Sequence, residues 1–169
     1  MKRARWILLA LLVVFAFPMS LHAKDANPAP VANPTTTEFT GEEIVVELVY
    51  PGDLAFTPGG TFRGRDRVWK MYHDTTDPRA TGTATVVSNG NFNPEGEGPC
   101  WGTFSVESDE YEGRWEAVWH SAPSTPEIIT AVGHGTGELE GLKAWWIFEY
   151  EEGDPNGHIS GRILDPHGE

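Results

Sequence analysis

Cysteine is almost absent from this chain of 169 residues, which has a single one at Cys100. One thiol cannot form an internal disulfide, so disulfide-stapled scaffolds are excluded and stability must come from burial and sheet hydrogen bonds. We interpret Cys100 as a small buried hydrophobe, because the Gly-Pro before it and the Trp after it offer no cationic neighbour to activate a nucleophile.

Basic residues are also scarce, with 12 Lys and Arg against 25 Asp and Glu and a formal net charge of −13. Removing a signal segment over residues 1–23 takes away three basic residues and no acidic ones, which leaves nine basic residues and a net charge of −16. Such a surface repels phosphate backbones and anionic lipid, so we expect no nucleic-acid partner and no membrane binding by the mature form.

Long apolar runs are missing as well. The longest nearly unbroken run, residues 6–17, has twelve residues, whereas a membrane-spanning helix needs roughly 20. Basic residues precede the run and the small residue Ala23 follows it, so residues 1–23 are predicted to be a secretory signal peptide and the protein to be exported, periplasmic or extracellular. Residues 24–42 are rich in Pro, Ala and Thr and are predicted to be a disordered tether.

Helical periodicity is missing after residue 43, and runs with strand character take its place. Each run is bounded by Gly, Pro, Asn or Asp, the residues that form turns. Short strands at regular spacing are typical of a sandwich or barrel. We therefore predict one all-β domain over residues 43–166, a single antiparallel eight-stranded β-barrel. Its eight strands are predicted at residues 43–50, 61–72, 81–88, 100–107, 113–120, 128–132, 142–150 and 158–164.

Alternation along two of these runs predicts which side chains point inward. Trp115, Ala117 and Trp119 fall on one face of their strand, and side chains two residues apart share a face. In the same way Leu142, Ala144, Trp146, Phe148 and Tyr150 share a face. On the opposite face, Trp145 and Ile147 leave an apolar surface that a loop or another subunit would cover.

A glycine-rich corner precedes the most aromatic strand, with Gly135, Gly137 and Gly141 in the sequence GTGELEG. It resembles the Gly-(Ser/Thr)-Gly-x-apolar-x-Gly corner of allene oxide cyclase and dirigent-type barrels. The sequences WGTF, GRWEAVW and ISGRILDP also resemble uncharacterised exported bacterial members of the allene oxide cyclase-like group. The resemblance covers about residues 43–166 and implies that the three glycines are structural. Cyclase members isomerise a lipid epoxide and dirigent members guide phenolic radical coupling, but the catalytic residues of neither can be placed on this chain.

Charged residues at the corner and the histidines are weaker candidates for a site. His134, Glu138 and Glu140 could be acid–base or metal-binding groups, but a polar turn with charged side chains in water is the favoured interpretation. His73, His120, His134 and His158 show no HxH or HExxH spacing that would fix two ligands on one face. We therefore expect no metal and no other cofactor.

Three arginines, Arg63, Arg65 and Arg67, alternate along one predicted strand. They could bind a carboxylate ligand through bidentate hydrogen bonds. Pairing with acidic residues of adjacent strands is the favoured interpretation, and such exposed pairs contribute little to stability.

Aromatic residues are the better indication of function. A filled core is their default explanation, but an eight-stranded barrel can also hold one small ligand. The first hypothesis is a binding module for a small apolar or aromatic ligand; the alternative is an isomerase or cyclase that acts by positioning in an apolar cavity. A third is a structural module that forms homo-oligomers through Trp145 and Ile147. The ligand-binding candidates are Trp101, Trp115, Trp119, Trp146, Phe148 and Tyr150.

Overall fold

Nine antiparallel strands form the described part of the chain, and eight of them close into a barrel. The computed structural model describes residues 33–123 and 126–168, so the predicted signal peptide and residues 24–32 of the predicted tether lie outside it. β1 pairs with β9 on one side and with β3 on the other, which closes the barrel and confirms the predicted fold. The strands are β1 (Thr35–Tyr50), β2 (Asp53–Phe56), β3 (Phe62–Thr75), β4 (Gly82–Phe92), β5 (Cys100–Ser108), β6 (Gly113–Ala122), β7 (Glu127–Gly137), β8 (Lys143–Tyr150) and β9 (Gly157–Asp165).

The structure corrects the predicted start of the domain. β1 begins at Thr35, so residues 35–42 are a strand and not part of a disordered tether. Their partner is β9, with which β1 pairs from Thr35 to Glu43. Hydrogen bonding to a distant strand therefore makes these residues a strand, although their side chains offer little apolar surface to bury. Within the described residues, no helix is long and apolar enough to cross a membrane.

Strand glycines leave room for aromatic rings of neighbouring strands. A Cβ atom on Gly102 would lie 2.9 Å from Nε1 of Trp119, and one on Gly161 would lie 2.3 Å from the ring of Phe39. Real Cβ atoms do not approach other heavy atoms so closely, so larger residues here would displace the rings. The core that results is buried inside the barrel and consists of Phe39, Met71, Ala80, Ala84, Val86, Phe104, Val106, Trp115, Ala117, Trp119, Ala131, Leu139, Ala144, Trp146, Phe148, Ile159 and Ile163.

The two ends of the barrel differ. We call the end with the turns after β3, β5 and β7 the lower end, and the end with the turns after β4, β6 and β8 the upper end. At the lower end, Leu139 of the β7–β8 corner is buried, and the indole Nε1 of Trp115 donates a hydrogen bond of 2.6 Å to the backbone oxygen of Arg79. Arg79 also pairs with the buried carboxylate of Asp77 at 2.6 Å. The lower end is therefore packed with side chains.

Candidate ligand-binding site

A pocket of about 130 Å³ lies inside the upper half of the barrel. It exists because inward positions near the upper ends of several strands carry flat rings and aliphatic chains that leave a space between them. The wall is apolar except for a hydroxyl at Ser88, a carboxylate at Glu43 and the phenol of Tyr150. The apolar part of the wall is formed by Trp69, Met71, Val86, Phe104, Trp119, Ile129 and Phe148.

The carboxylate of Glu43 is the polar centre of this wall. It is only 4% exposed, and it lies opposite His73 in the register of β1 and β3. Its Oε1 is 3.0 Å from Nε2 of the fully buried His73, and its Oε2 accepts a hydrogen bond from the hydroxyl of Tyr150. Burying a carboxylate is tolerable only when hydrogen bonds replace its hydration, and these two donors supply that replacement.

The orientation of His73 follows from its surroundings. Its ring packs against Phe104 and Phe148 at centroid distances of 5.8 and 5.5 Å. Its Nδ1 makes no hydrogen bond within the described residues. A ring with its proton on Nε2 donates to Glu43 and leaves only a lone pair unsatisfied at Nδ1, whereas the opposite tautomer leaves a buried N–H unpaired at Nδ1 and no proton to donate at Nε2. We therefore assign the Nε2–H tautomer.

Tyr150 stays protonated under ordinary conditions. Burial raises the pKa of its phenol well above the usual range, and the negative charges of Glu43 and Glu127 raise it further. A ring in this position also needs space on the next strand, where Gly157 provides it, since a Cβ there would lie 2.9 Å from the Tyr150 ring. The Tyr150 hydroxyl therefore donates its one hydrogen to the carboxylate of Glu43 and fixes its position.

The six aromatic candidates fall into three environments. Trp119, Phe148 and Tyr150 line the pocket. Trp115 and Trp146 are fully buried, and their rings contact each other at 5.5 Å in the filled part of the barrel. Trp101 is different, because it faces outward with 37% of its surface exposed and lies under the guanidinium of Arg65. The prediction that the aromatic faces of β6 and β8 point inward is confirmed.

The glycine corner lies at the lower end, away from the pocket. Gly137 and Gly141 have positive φ values of 64° and 90°, which glycine adopts without steric cost. His134 is exposed, and its Nε2 is 3.9 Å from a carboxylate oxygen of Glu116. Glu138 and Glu140 are also exposed. Within the described chain, no three His, Cys, Asp or Glu side chains are grouped to hold a metal ion.

The contacts of the β3 arginines differ from the favoured interpretation, which paired them with acidic residues of adjacent strands. A bulge between Gly64 and Arg67 interrupts the pairing with β4. Arg65 donates to the backbone oxygens of Gly64 and Gly90 at 2.7 Å and stacks on Trp101 outside the barrel. Arg67 donates to a backbone oxygen too, that of Pro51 at 3.4 Å. Backbone carbonyls and, for Arg65, the side-chain oxygen of Asn91 are therefore the hydrogen-bond partners of these two arginines, in place of acidic side chains in a ladder.

Of the central pair of the site, Glu43 was not among the sequence-derived candidates, and His73 was considered only as a metal ligand. His73 continues the alternation of Trp69 and Met71 in the sequence WKMYH, and that signal could have identified it as an inward residue. Glu43 stands at the predicted start of its strand, so no inward face could be assigned to it. Only the register of β1 against β3 brings the two residues together.

Comparison with known proteins leaves the family open. No protein-family model, curated protein or solved structure matches this chain. The closed eight-stranded antiparallel barrel is therefore the part of the family resemblance that the structure shows.

Proposed function

We propose that this protein binds a small, predominantly apolar molecule inside the upper half of its barrel. The observation that carries the proposal is the pocket of about 130 Å³ with an apolar wall and a few fixed polar groups. Small-molecule sites commonly combine these two properties. Its volume suits a ligand built on one ring, since an apolar cavity of roughly 150 Å³ is enough to hold benzene.

Titration with ethylbenzene, followed by isothermal calorimetry or by NMR of the protein, tests this proposal. Ile129 lines the pocket, so Ile129→Trp should fill it and weaken ethylbenzene binding by at least about tenfold, or 1.4 kcal/mol. The matched control is Ile128→Trp on the same strand, because Ile128 is 43% exposed on the outer face. Unchanged binding to the Ile129 variant, with its fold verified by circular dichroism, would place the ligand elsewhere and reject the pocket.

A second function, isomerisation by proton transfer, is favoured by the carboxylate in the pocket wall. A carboxylate within reach of a bound ligand can remove a proton from it, and a hydroxyl that donates to this carboxylate holds it in place as the base. Glu43 and Tyr150 supply these two groups side by side. The reaction class would be proton abstraction next to a carbonyl group.

Exchange of the methyl protons of acetophenone in D₂O, followed by proton NMR, tests the isomerase function. Glu43→Gln should abolish protein-dependent exchange, while Glu47→Gln, an exposed position on the same strand, should leave it unchanged. Binding of acetophenone without any exchange would remove the isomerase function and leave the binding function standing.

A further inference from the structure

The charged groups around the pocket are almost all of one sign. An open groove at the upper end shares Met71, Ile129 and Tyr150 with the pocket, so the groove forms the entrance to it. Among the described residues, neither the pocket nor the groove has a lysine or arginine in its lining. The acidic residues of the groove are Glu127, Glu151, Glu152 and Asp154, and Glu43 adds a further carboxylate inside the pocket.

Among the described residues, Arg67 lies close to this region, but its guanidinium is already engaged. The Arg67 guanidinium lies 5.8 Å from the centroid of the Trp69 ring and donates a hydrogen bond to the backbone oxygen of Pro51. Trp69 separates it from the pocket, since the ring is part of the pocket wall. The single positive charge of Arg67 therefore does not balance the five carboxylates of the pocket and groove.

Glu43 can accept more hydrogen bonds than it receives. A carboxylate offers about four lone-pair sites, and the two donors that reach it here are His73 Nε2 and the Tyr150 hydroxyl. The Tyr150 hydroxyl is a neutral donor, and His73 contributes a single N–H, since its Nδ1 has no hydrogen-bond partner within the described residues. Glu43 therefore keeps acceptor capacity for a ligand in the pocket that it lines.

The aromatic wall favours the same kind of ligand. The faces of tryptophan and phenylalanine rings carry negative electrostatic potential and attract ammonium groups that lie within about 6 Å. Trp69, Trp119, Phe104 and Phe148 surround the pocket together with Glu43. Rings and a carboxylate around one small space can replace the hydration of a cation, whereas they would repel an anion.

We infer that the ligand of this pocket is a small apolar cation, an alkyl- or arylalkylammonium ion whose charged group contacts the Glu43 carboxylate. This inference rests on the proposed binding function and specifies its ligand class. The acidic groove would raise the local concentration of such a cation and speed its entry, an effect that salt weakens.

Calorimetric titration with three probes of similar size tests the inference: benzylammonium, the neutral ethylbenzene and the anion benzoate. Benzylammonium should bind to the wild-type protein at least about tenfold more tightly than ethylbenzene, a difference of 1.4 kcal/mol, and benzoate should not bind. Glu43→Gln should remove the preference for the cation, so that benzylammonium no longer binds more tightly than ethylbenzene. Glu47→Gln on the same strand is the matched control and should leave both affinities unchanged.

A second variant keeps the test decisive if Glu43→Gln does not fold. Glu127, Glu151 and Glu152 are exposed, so their combined substitution by glutamine should preserve the fold. It should weaken benzylammonium binding about threefold or more at low salt and leave ethylbenzene binding unchanged. Equal affinities of wild-type protein for benzylammonium and ethylbenzene would overturn the cation inference but retain the pocket. If neither probe binds, the binding function itself fails.

Discussion

Burial of the Glu43 carboxylate costs free energy of folding, and this cost indicates a role for the residue other than stability. Removing a carboxylate from water costs several kcal/mol, and replacing a buried ionic group by apolar residues of similar size is often neutral or stabilising. The hydrogen bonds from His73 and Tyr150 reduce this cost. Apolar neighbours such as Val86 and Phe104 show that the interior accepts purely apolar residues. We therefore attribute Glu43 to the proposed binding function of the pocket and not to the stability of the barrel.

Gly137 is required because of its backbone conformation and the lack of space for a side chain, and a substitution tests this requirement. A Cβ atom at this position would lie 2.2 Å from the backbone oxygen of Glu112, and the φ angle is +64°. We expect Gly137→Val to lower the free energy of unfolding by about 3 kcal/mol or more, because it combines a backbone clash with a strained φ. Urea unfolding measures this change.

Two neighbours of Gly137 provide the controls. His134 is exposed with a long contact of 3.9 Å to Glu116, so His134→Ala should change the free energy of unfolding by less than about 0.5 kcal/mol. Glu138 accepts a hydrogen bond of 2.8 Å from the Glu112 amide at the surface, so Glu138→Ala should cost no more than about 1 kcal/mol. Small and equal effects in all three variants would contradict the structural role of the corner.

At the scale of elements, the sequence was sufficient for the eight strands of the barrel but not for their ends. Alternation and turn residues located each barrel strand, because half-buried strands carry a period of two that local sequence displays. The largest missed parts are residues 35–42 of β1, the whole of β2, residues 73–75 of β3, the end of β4 beyond Ser88, and residues 133–137 of β7. These segments contain few alternating apolar residues, and distant partner strands hold them in the sheet.

The missed strand β2 shows how the arginines came to be misinterpreted. β2 pairs with the start of β3, and the bulge that follows puts Asp66 at a positive φ of 54°. A bulge breaks the simple alternation of faces along a strand. Arg65 consequently stacks on the outward-facing Trp101, while Arg67 lies over Trp69 of the pocket wall. Spacing by two in the sequence could not reveal this separation.

The sequence also identified only part of the candidate site. The sequence identified Trp119, Phe148 and Tyr150, which line the pocket, because each lies on a strand with clear alternation. It could not distinguish them from Trp115 and Trp146, which fill the core, because the height of a residue in a barrel depends on the stagger between strands. The Glu43–His73 pair depends on that stagger as well.

At the scale of the whole molecule, the outer surface of β6, β7 and β8 carries an apolar patch. Val118, Val132 and Ile147 are 63%, 48% and 46% exposed, and Val132 lies in register with Val118 on one side and Trp145 on the other. Contiguous exposed apolar surfaces commonly mark interaction sites. Cations also flank this patch, with the guanidinium of Arg162 lying 4.9 Å from the centroid of the Trp145 ring.

We propose that a second copy of the chain covers this patch, which follows the third hypothesis of a homo-oligomer formed through Trp145 and Ile147. The mature chain has a predicted net charge of −16, so two copies repel each other unless they meet where the charge is locally balanced. Arg114, Lys143 and Arg162 lie on the strands of this face together with the acidic Glu116 and Glu149. Association through this face should therefore strengthen as salt screens the repulsion of the rest of the surface.

Light scattering coupled to size-exclusion chromatography measures this association. The wild-type protein should show a mass above that of the monomer, increasing with protein concentration and with salt. Val132→Lys should return the protein to a monomer, because it places a desolvated charge in the centre of the contact. Val49→Lys is the matched control, since Val49 is 58% exposed on β1, outside the patch. A monomeric wild-type protein at high concentration and high salt, or equal dissociation by both variants, would show that this face does not mediate self-association.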